Sequence, residues 1–236
     1  MWLTVGLLGS GLFSQLLGGG DGGDCRHSAT IGARTVEIIV REWPLRVAAD
    51  PVRRYILDLG TRLAHAANPS DSGPTWRFFV VRNLEPTAFA LGGRHFVVSD
   101  GLIAFVRNES DLAAVIAHEI AHEQLGHFCR ASSDATARVH YGSIVQHFNL
   151  DVERAADAEA VDLLTIAGFA PQSMYQVLRC LSERPGAPVR QLAARMRALE
   201  PLTDEGTYSP PGTHTAFERI RNLVVEDFDT PVHRCR

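Results

Sequence analysis

The sequence predicts an α+β fold that is mostly helical, with one small β-sheet. Three observations predict it. Apolar residues recur at helical spacing in several separate segments, β-branched and aromatic residues concentrate between positions 75 and 98, and Gly, Pro, Asn and Asp punctuate the joins. At 236 residues the chain can bury a sizeable core as one domain.

Taken in order, residues 1–17 are apolar (Trp2, Leu3, Val5, Leu7, Leu8, Leu12, Phe13, Leu16, Leu17), and a Gly-rich linker follows at 18–23. Residues 1–30 are therefore set apart from a domain spanning 31–236. Residues 34–40 alternate as a strand does. Residues 50–67 place Val52, Tyr55, Ile56, Leu59 and Leu63 on one face of an amphipathic helix. Trp76, Phe78, Phe79, Val80 and Val81 read as a strand, and 88–98 as two more around Gly92-Gly93, a pair suited to a hairpin turn. Residues 108–128 form one helix with Asn108 as its cap, Asp111 in the first turn and Gly126 near its end. A further helix runs over 151–168, then others over 171–183 and 187–199, a Pro/Gly-rich loop over 201–212, and a last helix over 214–226. No internal repeat is present.

The helix at 108–128 carries the most informative stretch, His118-Glu119-Ile120-Ala121-His122. Two histidines four apart share one helix face, so both imidazoles can grip a single metal ion. Glu119 can reach a water on that metal without ligating it. This is the zinc-hydrolase signature, with two nitrogen ligands and a built-in general base. Leu112, Val115, Ile116 and Ile120, with Ala113, Ala117 and Ala121, make the helix apolar almost all round. Burying a glutamate and two histidines in it is costly unless something binds them.

A catalytic zinc usually takes three protein ligands and leaves a fourth position open. Position 128, where an extended metzincin motif would need histidine, is Phe128. Downstream, Glu153 and Asp157 share a helix face, so Glu153 can ligate while Asp157 accepts a hydrogen bond from a ligand imidazole. Glu159 and Asp162 are the competing third ligands. Cys129 lies nearly two turns past His122 and is a weak candidate. His127 stands one residue past a full turn from His122 and reads as packing or hydrogen-bonding at the helix end. His27, His65, His95, His140, His147 and His233 have no partner at ligand spacing.

These motifs stand in a recognisable order. Thr87 to Gly93, then Phe96 to Leu102, then the zinc helix, then Glu153-x-x-Ala156-Asp157 and Gly168-Phe169-Ala170-Pro171 resemble the HtpX-like and CAAX-prenyl-protease-like gluzincin metallopeptidases over roughly residues 45–225. The resemblance implies a zincin-like catalytic domain with its small sheet packed on the HExxH helix, one Zn2+ per chain held by His118, His122 and Glu153, and Glu119 as the base of an endopeptidase. By the same match Asp157 supports a ligand from behind. That family usually carries Thr-His-Pro near its C-terminal end. Here Gly212-Thr213-His214-Thr215 lacks the proline, and Arg219-Ile220 follows one residue early. His214 is either a fourth zinc ligand in a resting state, a transition-state donor, or a histidine at a helix start. Arg219 and Tyr208 are the other candidate donors.

The expected partners are polypeptides, taken up along an edge strand at Phe89, Ala90 and Leu91 through main-chain hydrogen bonds. A net charge of -4 gives no basic field for nucleic acid, and all 23 basic residues are arginine, which excludes a lysine nucleophile. Residues 1–17 are short for a spanning helix, which needs about 20 residues, yet long enough for a signal core or membrane association, although no Lys or Arg precedes them. The expected location is exported, periplasmic or membrane-associated, with cytoplasmic as the alternative. The resemblance is closer to the soluble or periplasmic branch. Four cysteines allow three pairings, of which Cys25–Cys235 with Cys129–Cys180 is the expected one. The function expected is zinc-dependent hydrolysis of misfolded or exported proteins. The alternative is a latent zinc-binding chaperone or assembly factor on the same fold.

Overall fold

The structure is a computed structural model that describes residues 43–70, 72–73, 75–127, 150–202, 214–228 and 234–235, with positions 33, 36, 37, 39 and 41. Helix α1 (Pro51–Ala67) starts where expected, because Asp50 accepts a hydrogen bond from the Val52 N–H and Pro51 supplies a fixed φ in the first turn. Its inner face is Val52, Ile56, Leu59, Leu63 and Ala64. Gly60 lies on that face because a Cβ there would stand 2.5 Å from the Phe78 ring.

Three strands follow: β1 (Arg77–Val81), β2 (Ala88–Ala90) and β3 (His95–Ser99), in the order β1-β3-β2. β3 pairs parallel with β1 and antiparallel with β2, which leaves β2 at the edge. Gly92 and Gly93 turn the hairpin with φ of 81° and 59°, and Arg94 follows at 64°. A short helix not evident in the sequence, α2 (Asp100–Phe105), opens directly from β3, with Ser99 Oγ accepting from Leu102 N.

Helix α3 (Glu109–Gln124) is capped by Asn108, whose side chain accepts from Asp111 N. It ends four residues earlier than its periodicity suggests, because Gly126 takes φ 66° and reverses the chain. Leu112, Ala113, Ala114, Ile116, Ala117, Ile120 and Ala121 are each at most 1% exposed, so α3 is the axis of the core. α4 (Leu150–Ile166) and α5 (Gln172–Ser182) pack against it, α6 (Val189–Leu199) packs on α4 and α5, and α7 (His214–Glu226) packs on α1 and α2. One cluster of buried side chains runs from Val52 to Cys235, and the small sheet lies against α3 as expected.

Two expectations are corrected. Within the strand expected at 34–40, the described positions 36, 37 and 39 are helical instead, and Trp43 N bonds to Ile39 O. The alternation masked a helical stripe: Val36, Ile39 and Trp43, three and four apart, all pack on the cluster formed by Val81, Phe89 and Val97. Cysteine pairing also differs, for Cys180 is bonded to Cys235 across a Cα separation of 5.5 Å. The chain end folds back over α2, where Cys235 N donates to Phe105 O, and that brings it to the inner face of α5. Cys25, Cys129 and residues 1–17 lie outside the described residues. Among the described residues no helix is long and apolar enough to cross a membrane.

A buried ion cluster joins the two ends of the domain. Arg46 meets both oxygens of Asp100 at 2.6 and 2.8 Å and also reaches Asp50 and Asp227. Asp100 is 0% and Arg46 5% exposed, whereas the Arg82 side chain that also touches Asp227 is 45% exposed. Arg46→Ala strands a buried carboxylate and is expected to cost about 3–5 kcal/mol. Arg82→Ala, at the surface, is expected to cost under about 1 kcal/mol. Urea unfolding of the two variants checks the contrast.

Candidate metal centre

α3 sets His118 and His122 on the side facing α4, and the two Nε2 atoms lie 3.1 Å apart. From α4, Glu153 places Oε2 3.5 Å from His118 Nε2 and Oε1 3.6 Å from His122 Nε2. Four ligands about 2.0–2.2 Å from a tetrahedral zinc stand about 3.3 Å from one another. The two Nε2 atoms and the Glu153 carboxylate, which turns a different oxygen to each, already form a triangle of about that size. The two imidazoles are buried, and among the described residues His118, His122 and Glu153 form the one group able to hold a metal ion. The donors, two nitrogens and a carboxylate, suit zinc with its fourth position open. Of the rival third ligands, Asp162 is exposed, and Glu159 faces Asp162 rather than the histidines.

Two further side chains brace this triangle. Asp157 Oδ1 lies 3.0 Å from His118 Nδ1. A proton held there keeps the lone pair of Nε2 on the metal side. Burial works against a charged Asp157, but hydrogen bonds from Arg195 and His118 outweigh it and hold the carboxyl below its usual range. Arg195, on α6, is the residue that sequence reasoning missed. Its Nε and Nη2 bond the two oxygens of Asp157 at 2.7 and 2.6 Å, and its Nη1 lies 2.7 Å from Glu153 Oε2. The available signal was an arginine amid the apolar stripe Leu192, Met196, Leu199, where a surface helix would carry a hydrophobe.

Glu119 points the other way, towards the sheet. Its Oε2 accepts the Ala90 N–H at 2.8 Å, so the edge strand holds the carboxylate beside the triangle rather than in it. Burial pushes Glu119 up to about 7, with the nearby His118 and the Ala90 N–H pulling the other way. Burial also drives His122 well below its ordinary value, with His118 adding to the effect, which keeps it neutral.

The expected substrate strand is at the sheet edge but is largely covered: Ala88, Phe89, Ala90 and Leu91 are 3, 6, 0 and 6% exposed. Thr87 O and Leu91 N bond to β3, so in the antiparallel alternation the outward main-chain groups belong to Ala88 and Ala90. A cavity of about 320 Å³ opens here, bordered by His118, Glu119, His122, Glu153 and Arg195. His214 begins α7, but its side chain is outside the described set, as is all of Tyr208. Arg219 is not among the described residues lining the cavity.

A HExxH helix with a carboxylate from the following helix defines a class, the zinc metallopeptidases. Residues 52–150, a stretch that includes both histidines, match the sequence model of Peptidase family M48. The resemblance to HtpX-like gluzincins fits the match, and zinc is the family's metal. Similar proteins include the Beta-barrel assembly-enhancing protease of Escherichia coli O157:H7, 41% identical over 57% of this chain and 34% of that protein. The Putative beta-barrel assembly-enhancing protease of Vibrio cholerae is 39% identical over 39% of this chain and 19% of that one. The Mitochondrial metalloendopeptidase OMA1 of Schizosaccharomyces pombe is 28% identical over 61% of this chain and 48% of its own. The chain thus spans about a third or less of the assembly-enhancing relatives named here.

Zinc must compete with a proton at this site. Burial lowers His118, but Asp157 and Glu153 more than offset it and hold the imidazolium up to about 9. His122 is already neutral, so binding zinc at pH 7 is expected to expel about one proton, and apparent affinity to rise about tenfold per pH unit until near 9. Competition titrations between pH 6 and 8 check the slope. A flat profile would contradict it.

Proposed function

We propose that the chain is a zinc-dependent endopeptidase in which His118, His122 and Glu153 hold the metal and Glu119 is the general base. The observation that carries this reading is the triangle of the two Nε2 atoms, 3.1 Å apart, and the Glu153 carboxylate, whose two oxygens lie 3.5 and 3.6 Å from them, with Glu119 held just outside it by the Ala90 N–H. Zinc bound there lowers the pKa of water towards about 7 and polarises a carbonyl. Glu119 takes the proton of the attacking water and returns it to the leaving amine. A carboxyl poised near neutrality suits both halves of that exchange. Asp157 keeps His118 in the tautomer that offers Nε2, and Arg195 keeps Glu153 and Asp157 facing inward. His214 remains the proposed donor to the developing oxyanion.

Substrate polypeptide is proposed to pass beside β2, using the outward groups of Ala88 and the carbonyl of Ala90, whose N–H is held by Glu119, and flanked by Phe89 and Leu91. One side chain next to the scissile bond enters the cavity, whose walls include Val115, Met174, Val177, Leu178, Leu181 and Leu192. Such walls favour a bulky apolar residue, the kind that unfolded chains expose. Misfolded or exported proteins are therefore the proposed substrates, which accords with relatives named for β-barrel assembly. The catalytic domain is assigned to 31–236, with 1–30 acting in export or membrane association.

Glu119→Gln retains about one zinc per chain while casein cleavage falls about 10²–10⁴-fold, and the wild-type rate declines on the acid side as Glu119 gains its proton near pH 7. Zinc retained with no cleavage even in the wild type would instead favour the latent chaperone. For selectivity, peptides with Phe or Leu beside the cleaved bond should outpace Asp there by tenfold or more, about the 1–3 kcal/mol that an apolar pocket discriminates. Val177→Trp should shift preference towards Ala. Equal rates across such a peptide set would refute the subsite.

A further inference from the structure

We infer that His127 is a positioning residue for the metal centre, accepting the Nδ1–H of His122 and so fixing the tautomer that turns His122 Nε2 towards Glu153. The inference rests on the zinc reading of this site and assigns work to a histidine which that reading leaves unused.

The local chain explains how His127 arrives there. α3 ends at Gln124, with the Leu125 N–H bonded to Ala121 O. Gly126 then adopts φ 66°, and a Cβ at that position would meet nothing within 4 Å. The left-handed backbone rather than lack of room therefore calls for glycine. The reversal brings the next residue back under the helix, where His127 is 6% exposed. Its Nδ1 lies 2.9 Å from His122 Nδ1, with the ring centroids 4.9 Å apart and the planes at 71°.

Two imidazole nitrogens at that distance share one proton, so one ring donates and the other accepts. If His127 donated, the proton of neutral His122 would sit on Nε2. It would then point into the space between His118 Nε2 at 3.1 Å and Glu153 Oε1 at 3.6 Å, where a metal needs a lone pair. With His122 as donor and His127 as acceptor, Nε2 is free to ligate. The arrangement parallels the other ligand, in which His118 Nδ1 faces Asp157 at 3.0 Å. A metal-bound histidine almost always gives its second N–H to such a partner, and losing the partner typically weakens metal binding about 10–100-fold. The two ligands thus have unlike supports, a carboxylate for one and an imidazole for the other.

The test measures zinc affinity by chelator competition in the full chain for wild type, His127→Phe and His127→Gln, with the Tm of each zinc-free protein as a folding control. Phe keeps the ring and its burial but offers no acceptor, whereas Gln offers a carbonyl oxygen. Expected is a loss of about 10–100-fold for Phe, near-complete recovery for Gln, and similar Tm values. Wild-type affinity in His127→Phe overturns the inference, as does equal weakening in both variants, which would assign the effect to packing. A wild type that binds no zinc refutes the underlying reading instead. Should the variants fail to fold, 15N NMR of the zinc-loaded wild type decides: a proton on His122 Nδ1 and none on His127 Nδ1 supports the assignment, and the reverse refutes it.

Discussion

Helix α3 takes two imidazoles and a carboxylate through the apolar centre of the molecule, and most of the surrounding structure answers the cost of placing them there. Uncompensated, each would lose its hydration for nothing, at several kcal/mol for an ionised group. The architecture offsets that cost on opposite sides of one helix. Towards α4, Glu153 and Asp157 face the histidines, and Arg195 from α6 satisfies both carboxylates. Towards the sheet, the Ala90 N–H meets Glu119. α4 and α6 are therefore parts of the site as much as α3 is, and β2 holds the Glu119 carboxylate in place.

The same constraint explains why charge is distributed as it is. Arg195 and the His118 imidazolium together balance Glu153 and Asp157, so the cluster turns net negative, and attracts a cation, once His118 gives up its proton. Glu119, separated from that cluster by its turn of helix, is governed mainly by burial and sits near neutrality. Asp157 and Glu119 thus shift in opposite directions because one faces an arginine and the other faces a peptide N–H and apolar walls.

What could be read from the sequence was whatever depends on local spacing. His118 and His122 share a face because they are four apart, Asn108 and Asp50 cap because they precede apolar stripes, and Gly92-Gly93 turns because both residues tolerate positive φ. Glu153 and Asp157 were legible for the same reason, as a pair on one face. Arg195 and the Arg46–Asp100 pair were not, since they join positions 38 and 54 residues apart and only the packed fold brings them together. Residues 34–40 misled because a β-branched run reads as a strand until Trp43 is seen to complete a helical stripe. α2 was overlooked because six residues are too few for periodicity, although Ser99 was a visible cap. The cysteine pairing needed knowledge of where the chain end returns, which no spacing encodes.

Anomalous diffraction at the zinc edge from crystals of the zinc-loaded protein tests the identity of the metal and of its ligands most directly. One peak per chain is expected, within about 2.0–2.2 Å of His118 Nε2, His122 Nε2 and a Glu153 oxygen, with Glu119 outside bonding distance. A peak that includes a cysteine sulfur or Glu119 among its ligands, or no peak between α3 and α4, would contradict it.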